Sequence, residues 1–187
     1  LDLSDETNEN QTENTTENIT ESINSTEATS DEQITSEANT GGTTDDLAGL
    51  TVTFLDVGQG NAVLFSCDDR YMMMDGGPSS ASSFVVAYLK KQNIESLDYV
   101  IASHYDSDHI NGLVGVLNVF DTETFIGPDY VADTKIYDSL MDKLAAQNLT
   151  VTFPKAGDSY TFGDAVFTIV APITYSDDNE NNNSVGI

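Results

Sequence analysis

From Gly49 onward the apolar positions change their period in an ordered way. Thr51–Val57 alternates and is rich in β-branched residues, which predicts a strand. Gly58-Gln59-Gly60 reads as a turn. Asn61–Cys67 reads as a second strand, with Ala62 and Leu64 on one face and Val63, Phe65 and Cys67 on the other. Asp68-Asp69 turns the chain into a third strand, Tyr71–Met74, whose methionines suit a core. That strand ends at Asp75-Gly76-Gly77-Pro78. The period then lengthens. Phe84, Val85, Tyr88 and Leu89 form a stripe at helical spacing, predicting a helix over 79–93 capped by Ser79 or Ser80, with Lys90 and Lys91 in its last turn.

Leu97–Ser103 is an apolar run suited to a buried parallel strand. A short helix is expected over Ile110–Val119 despite Gly112 and Gly115, and a short strand over Thr124–Gly127. Ile136, Leu140 and Leu144 recur at i+4, as do Tyr137 and Met141, so Asp133–Gln147 is the clearest helix. Thr150–Phe153 and Ser159–Val170 read as strands, with Gly163-Asp164 as a turn inside the second. Asp177–Asn183 reads as a polar loop, and Ser184–Ile187 begins another apolar segment. Strands and helices in this order imply an α/β sandwich, because both faces of the sheet need cover.

Residues 1–48 lack any sustained period and are dominated by Thr, Glu, Asn and Ser. Such a tract buries too little apolar surface to offset its ordering entropy, so it is expected to be a disordered linker. A flexible chain of that length spans roughly 35–40 Å end to end. It suits a solubilising tail or a spacer that tethers the domain 49–187 to a surface. Its Asn-x-Thr triplets at Asn10, Asn14, Asn18 and Asn24 are what chance gives in such a composition. The 187 residues hold no apolar run approaching a membrane span, and the chain starts at Leu1, as a processed or excerpted chain would.

Charge narrows the partners. The formal net charge is −26, and 13 of the 32 acids lie in residues 1–48, which contain no Lys or Arg. Neither segment offers a broad cationic face for a phosphate backbone, so a nucleic-acid substrate would need bound metal to supply the attraction. Cys67 is the only cysteine, which rules out an intrachain disulfide.

The chemistry concentrates in one place. Both histidines of the chain fall at 104 and 109, interleaved with Asp106 and Asp108, directly after a predicted buried strand. In α/β sheets sites are built at that end of a strand. His104 and Asp106 are two apart on an extended segment and so point the same way, towards one cation. Asp108 and His109 lie just beyond, where they can serve a second. Mixed imidazole and carboxylate ligation suits zinc, manganese or iron(II) better than calcium. An EF-hand reading fails, because its required Gly and Glu positions are Asn111 and Leu117. A helix beginning after these residues would turn its N-terminus towards the site, favouring an anionic substrate group.

His104-x-Asp106-x-Asp108-His109 resembles the metal motif of the metallo-β-lactamase fold superfamily. Asp in its second place resembles the branch that includes the extracytoplasmic domain of the competence protein ComEC. Phe54-Leu55-Asp56-Val57-Gly58-Gln59-Gly60-Asn61-Ala62, Met74-Asp75-Gly76-Gly77 and Asn181-Asn182-Asn183-Ser184-Val185 are similar, in order, to further motifs of that branch. The resemblance covers about residues 49–187. It implies an αββα sandwich of which this chain carries the N-terminal part, with His104 and Asp106 on one divalent metal and Asp108 and His109 on the other. Asp108 would also orient a water. Asp75 would steady the ligand loop, Gly58 and Gly60 would turn the backbone beneath the site, and Asn181, Asn183 and Ser184 would lie near it.

The family pattern has Asp where this chain has Asn61. A bridging carboxylate and a third His, which the resemblance places further along, have no counterpart up to Ile187. The activity implied is hydrolysis of a phosphodiester or other ester, DNA included, by a hydroxide that two cations activate. It is an activity expected outside the bacterial cytoplasm, at the cell surface. The alternative is a non-catalytic surface or binding module, or an inactive fragment of such a hydrolase.

Overall fold

The computed structural model describes residues 49–176 and 179–187. The linker reading of residues 1–48 falls outside them, as do two residues of the expected 177–183 loop. A central sheet of six strands runs in the order β1-β2-β3-β4-β5-β6. These are β1 (Thr51–Phe54), β2 (Val63–Cys67), β3 (Arg70–Met74), β4 (Ser96–Ile101), β5 (Asp121–Ile126) and β6 (Val151–Thr152). The first three form an antiparallel meander. From β3 onward every pairing is parallel. Parallel neighbours need crossovers, and three helices provide them: α1 (Ser82–Lys91), α2 (Ser107–Leu117) and α3 (Lys135–Ala146). A separate hairpin, β7 (Ser159–Phe162) with β8 (Ala165–Thr168), follows.

The two faces of the sheet are buried differently. Leu64, Met73, Val100 and Phe125 pack on the side of the helices, against Val85 and Leu89 of α1, Ile110, Leu113 and Val116 of α2, and Leu140 and Leu144 of α3. Cys67, Met72, Ile101 and Ile126 pack on the opposite side against Phe162, Ile169 and Val185. The alternation in β2 therefore sorts Leu64 to the helical layer and Cys67 to the hairpin side, as its period demands. A helical layer, the sheet and a β layer make an αββ arrangement, three successive layers of an αββα sandwich.

Several boundaries differ from the expected ones. β1 stops at Phe54, although Leu55 N still donates to Ala62 O at 2.9 Å, because the chain then bends towards Gly58 and Gly60 at positive φ. Ser79 and Ser80 do not cap α1. They lie in a 3₁₀ turn, Ser79–Ala81, and the residue before α1 is Ala81. Phe84 is exposed, leaving Val85 and Leu89 as the buried residues of α1. α1 and α3 end alike, on Gln-Asn followed by a hydrophobe. Asn93 and Asn148 adopt positive φ, and Ile94 and Leu149 donate back to Leu89 and Leu144.

α2 begins three residues earlier than expected, at Ser107. Gly112, a weak helix former, is there for a contact: a Cβ on it would lie 1.7 Å from the Gly76 carbonyl oxygen. Gly112 N donates to Gly77 O, and Gly76 N donates to His109 O. The first turns of α2 are thus bonded by backbone to the segment that follows β3.

Asp68 and Asp69 form the β2–β3 turn with both residues at positive φ. Asp68 has a side-chain partner in Asp164 N at 2.7 Å. Replacing Asp69 by Gly should relieve the left-handed strain and raise stability by about 0.5–1 kcal/mol, read as a higher urea midpoint at unchanged slope.

Candidate metal centre

Asp75 sits just past the end of β3, fully buried and at φ 57°. Its own N–H continues the sheet by donating to Ile101 O. Its carboxylate collects four donors. Oδ1 accepts from Ser103 N at 2.7 Å. Oδ2 accepts from Ser103 Oγ at 2.7 Å, Asn61 Nδ2 at 3.1 Å and His109 Nδ1 at 2.9 Å. A buried carboxylate is tolerated only when its oxygens are satisfied in this way.

This network fixes the protons on both histidines. His109 donates from Nδ1 to Asp75. Ser103 gives its own proton to Asp75, so its oxygen accepts from His104 Nδ1 at 3.0 Å. In their neutral forms both rings therefore turn an unprotonated Nε2 outward. The rings lie 4.0 Å apart, centroid to centroid. His104 Nε2 faces Asp106 Oδ2 at 3.4 Å, and His109 Nε2 faces Asp108 Oδ2 at 4.0 Å. Imidazoles oriented through Nδ1 by an acceptor network, with Nε2 free beside a carboxylate, are the donor set a divalent transition metal takes. Each pair would offer a cation two ligands. Among the described residues no three His, Cys, Asp or Glu side chains converge on one point.

Asp106 precedes the first residue of α2, a place where Asp ordinarily bonds the helix N–H groups. Its side chain makes no such bond and turns to His104 instead. Asp108 lies in the first turn, where its charge complements the helix dipole, and Gln59 Nε2 reaches it at 3.4 Å. Gly60, at φ 97°, packs on the Asp108 backbone, where a Cβ would stand 1.9 Å from the carbonyl oxygen. Gly58 is also at positive φ but faces open space. Gly60 is thus the close approach beneath the site and Gly58 only the turn.

Tyr105, between His104 and Asp106, points the other way. It is 1 % exposed, contacts the rings of Tyr130 and Tyr137 edge-on, each at 4.9 Å, and donates to Pro128 O at 2.9 Å. Its N–H donates to the Tyr130 hydroxyl at 3.0 Å. Sequence periodicity did not single out this aromatic anchor. The signal was available in the i, i+1, i+2 alternation that sends Tyr105 inward when His104 and Asp106 face out.

The Asn-rich segment meets the site by backbone. Val185 N donates to Ser103 O at 2.7 Å. Asn183 is buried and pairs twice with the Ser176 backbone, while Ser184 Oγ donates to Asn181 O. Asn181 and Asn183 lie in a 3₁₀ turn, Glu180–Asn183, rather than in an irregular loop. These bonds close the segment on itself, so its polar groups shape the support beneath Ser103.

Burial works against the charge of His109, but its hydrogen bond to Asp75 and the carboxylates of Asp75, Asp108 and Asp106 outweigh that and raise its pKa above the ordinary value. For His104, burial and the neighbouring His109 prevail over the carboxylates and lower it. Burial pushes Tyr130 up to about 12, against the hydrogen bond from Tyr105 N.

A model of the metallo-beta-lactamase superfamily matches residues 55–170. The chain belongs to that superfamily, whose members are typically metal-dependent hydrolases. It is 36 % identical over 66 residues to the competence protein ComA of Neisseria gonorrhoeae, a match covering 35 % of this chain and 10 % of that protein. Among solved structures it is similar to the metallo-beta-lactamase SMB-1, with 16 % identity and a TM-score of 0.48 over 64 % of this chain and 50 % of that one. It is also similar to the metal-soaked Flv1 flavodiiron core from Synechocystis, with 23 % identity and a TM-score of 0.46 over 59 % and 27 %. The chain thus spans about a tenth of the curated relative and a quarter to half of these structures.

Two outcomes follow from the network in the metal-free protein. In an NMR titration His109 should titrate above and His104 below the ordinary histidine value. His109 then contributes stability that is complete below that value and lost as pH rises through its folded pKa. His104 contributes stability present above it and lost as pH falls through its own. Separately, Asp75→Ala strands several buried donors and should cost about 3–5 kcal/mol in chemical denaturation.

Proposed function

We propose that the chain carries the N-terminal part of a two-metal phosphodiesterase, in which His104 and Asp106 hold one divalent cation and Asp108 and His109 the other. The observation that carries this reading is the pair of Nε2 atoms left free and beside carboxylates by the Asp75–Ser103 network. Zinc suits the mixed donors, with manganese or iron as substitutes. Cations at these pairs would lower the pKa of coordinated water and polarise a phosphoryl oxygen.

The chain's own contributions are orientation and charge. Asp75 and Ser103 hold the imidazoles in the ligating tautomer, and Asp108, braced by Gln59, is placed to orient a water. The N-terminus of α2 opens towards the same point and favours an anionic group. The partial similarity to a competence protein supports DNA as the substrate class. With a net charge of −26, metal rather than Lys and Arg must attract it. The place that fits this reading is outside the cytoplasm, with residues 1–48 as a spacer to the cell surface. No helix among the described residues is long and apolar enough to cross a membrane.

A second reading, a non-catalytic binding module, is favoured by one observation: two ligands per cation leave each coordination sphere half built from protein.

Zinc-loaded protein should cleave an aryl phosphodiester, and His104→Ala should lower the rate by at least about a hundredfold while removing one equivalent of bound zinc. Two zinc equivalents bound without cleavage would select the binding module. Equal rates in the two proteins would sink the hydrolase reading.

A further inference from the structure

The hydroxyl of Tyr130 is occupied on one side only. Its oxygen accepts from Tyr105 N at 3.0 Å, and Tyr105 is the residue between His104 and Asp106. Among the described residues its own proton is donated to nothing. Tyr130 is half-buried, and its ring is fixed by the edge-on contact with Tyr105. The carboxylates of Asp106 and Glu180 both act on the phenol electrostatically. Other polar groups near the ligand loop are already engaged: Asn61 and Ser103 donate to Asp75, and Gln59 donates to Asp108.

We propose that Tyr130 is a substrate-binding residue of the candidate metal centre, donating its hydroxyl proton to a non-bridging phosphoryl oxygen. The inference rests on the phosphodiesterase reading and sharpens it. In a setting of Asp106, Asp108 and Glu180, a neutral donor is what an anion can use without bringing in a cation that would compete with the metals for those carboxylates. The oxygen of Tyr130 is held by the backbone of the ligand loop, so the donated proton is indexed to the position of His104 and Asp106. Tyr137 touches the same Tyr105 ring but has no bond to the loop, which makes it the control.

The test compares wild type, Tyr130→Phe and Tyr137→Phe. Calorimetry measures zinc affinity, then the affinity of the zinc-loaded proteins for inorganic phosphate. Tyr130→Phe should leave zinc affinity within about twofold and weaken phosphate about tenfold or more, with Tyr137→Phe unchanged in both. In wild type labelled at the tyrosine Cζ carbon, the Tyr130 resonance should move on adding phosphate, a measurement that does not depend on the variant folding. Equal phosphate affinity in wild type and Tyr130→Phe, or an unmoved Tyr130 resonance while phosphate binds, overturns the assignment and leaves the hydrolase reading standing. A parallel loss of zinc affinity in Tyr130→Phe overturns it in favour of loop support. A zinc-loaded wild type that takes up no phosphate removes both.

Discussion

The arrangement of residues 103–109 depends on one buried carboxylate. Asp75 joins Asn61 after β1 to Ser103 after β4 and His109 in α2, all distant from it in sequence. A charge in that position is unfavourable unless donors surround it, and the fold is arranged so that four do. The reward is specificity of geometry. Two imidazoles are turned, oriented through the same ring nitrogen and held in contact. Asn61 fits this logic. A carboxylate in its place would put a second negative charge against Asp75, whereas the amide supplies a donor.

The sheet explains why these stretches meet. β3 and β4 are parallel neighbours, so the chain leaves both at the same edge, and Asp75 and Ser103 emerge side by side. α2 must return across the helical face immediately afterwards, which brings His109 back over Asp75. The mutual approach of Gly76 and Gly112 allows that return to be tight. The backbone bonds Gly76 N to His109 O and Gly112 N to Gly77 O make the helix an extension of the strand-end segment rather than an element packed on it.

Much of this was legible in the sequence. The two-residue period of β2 sorted its faces correctly, and the apolar run before His104 located a buried parallel strand. The i+4 pattern located α3. The cluster of His104, Asp106, Asp108 and His109 announced itself by residue type. What the sequence left open was contact across distance. Periodicity carries no information on which carboxylate will sit under which imidazole, so the role of Asp75 came from resemblance alone until its four bonds were seen. The start of α2 was misplaced because Asp and His have low helix propensity and tertiary bonds to Gly76 and Gly77 override it. The Asn-rich segment was placed near the site by resemblance alone, and its polarity says nothing of its role. Its hydrogen bonds are spent locally, on Ser176 and on its own turn.

The compactness of the ligand cluster has a consequence for how a cation would act on stability. All four donors lie within a single hexapeptide, so they stay close to one another even when the chain is unfolded. An unfolded chain therefore keeps much of the local ligand concentration that the native site offers, and a cation bound there subtracts from the stabilisation that its affinity for the native state would otherwise give. What the native fold adds is the remote part: Asp75, 29 residues upstream of His104, and the tautomer it enforces. Folding in this protein does less to gather these four side chains than to decide which nitrogen of each imidazole would meet a cation.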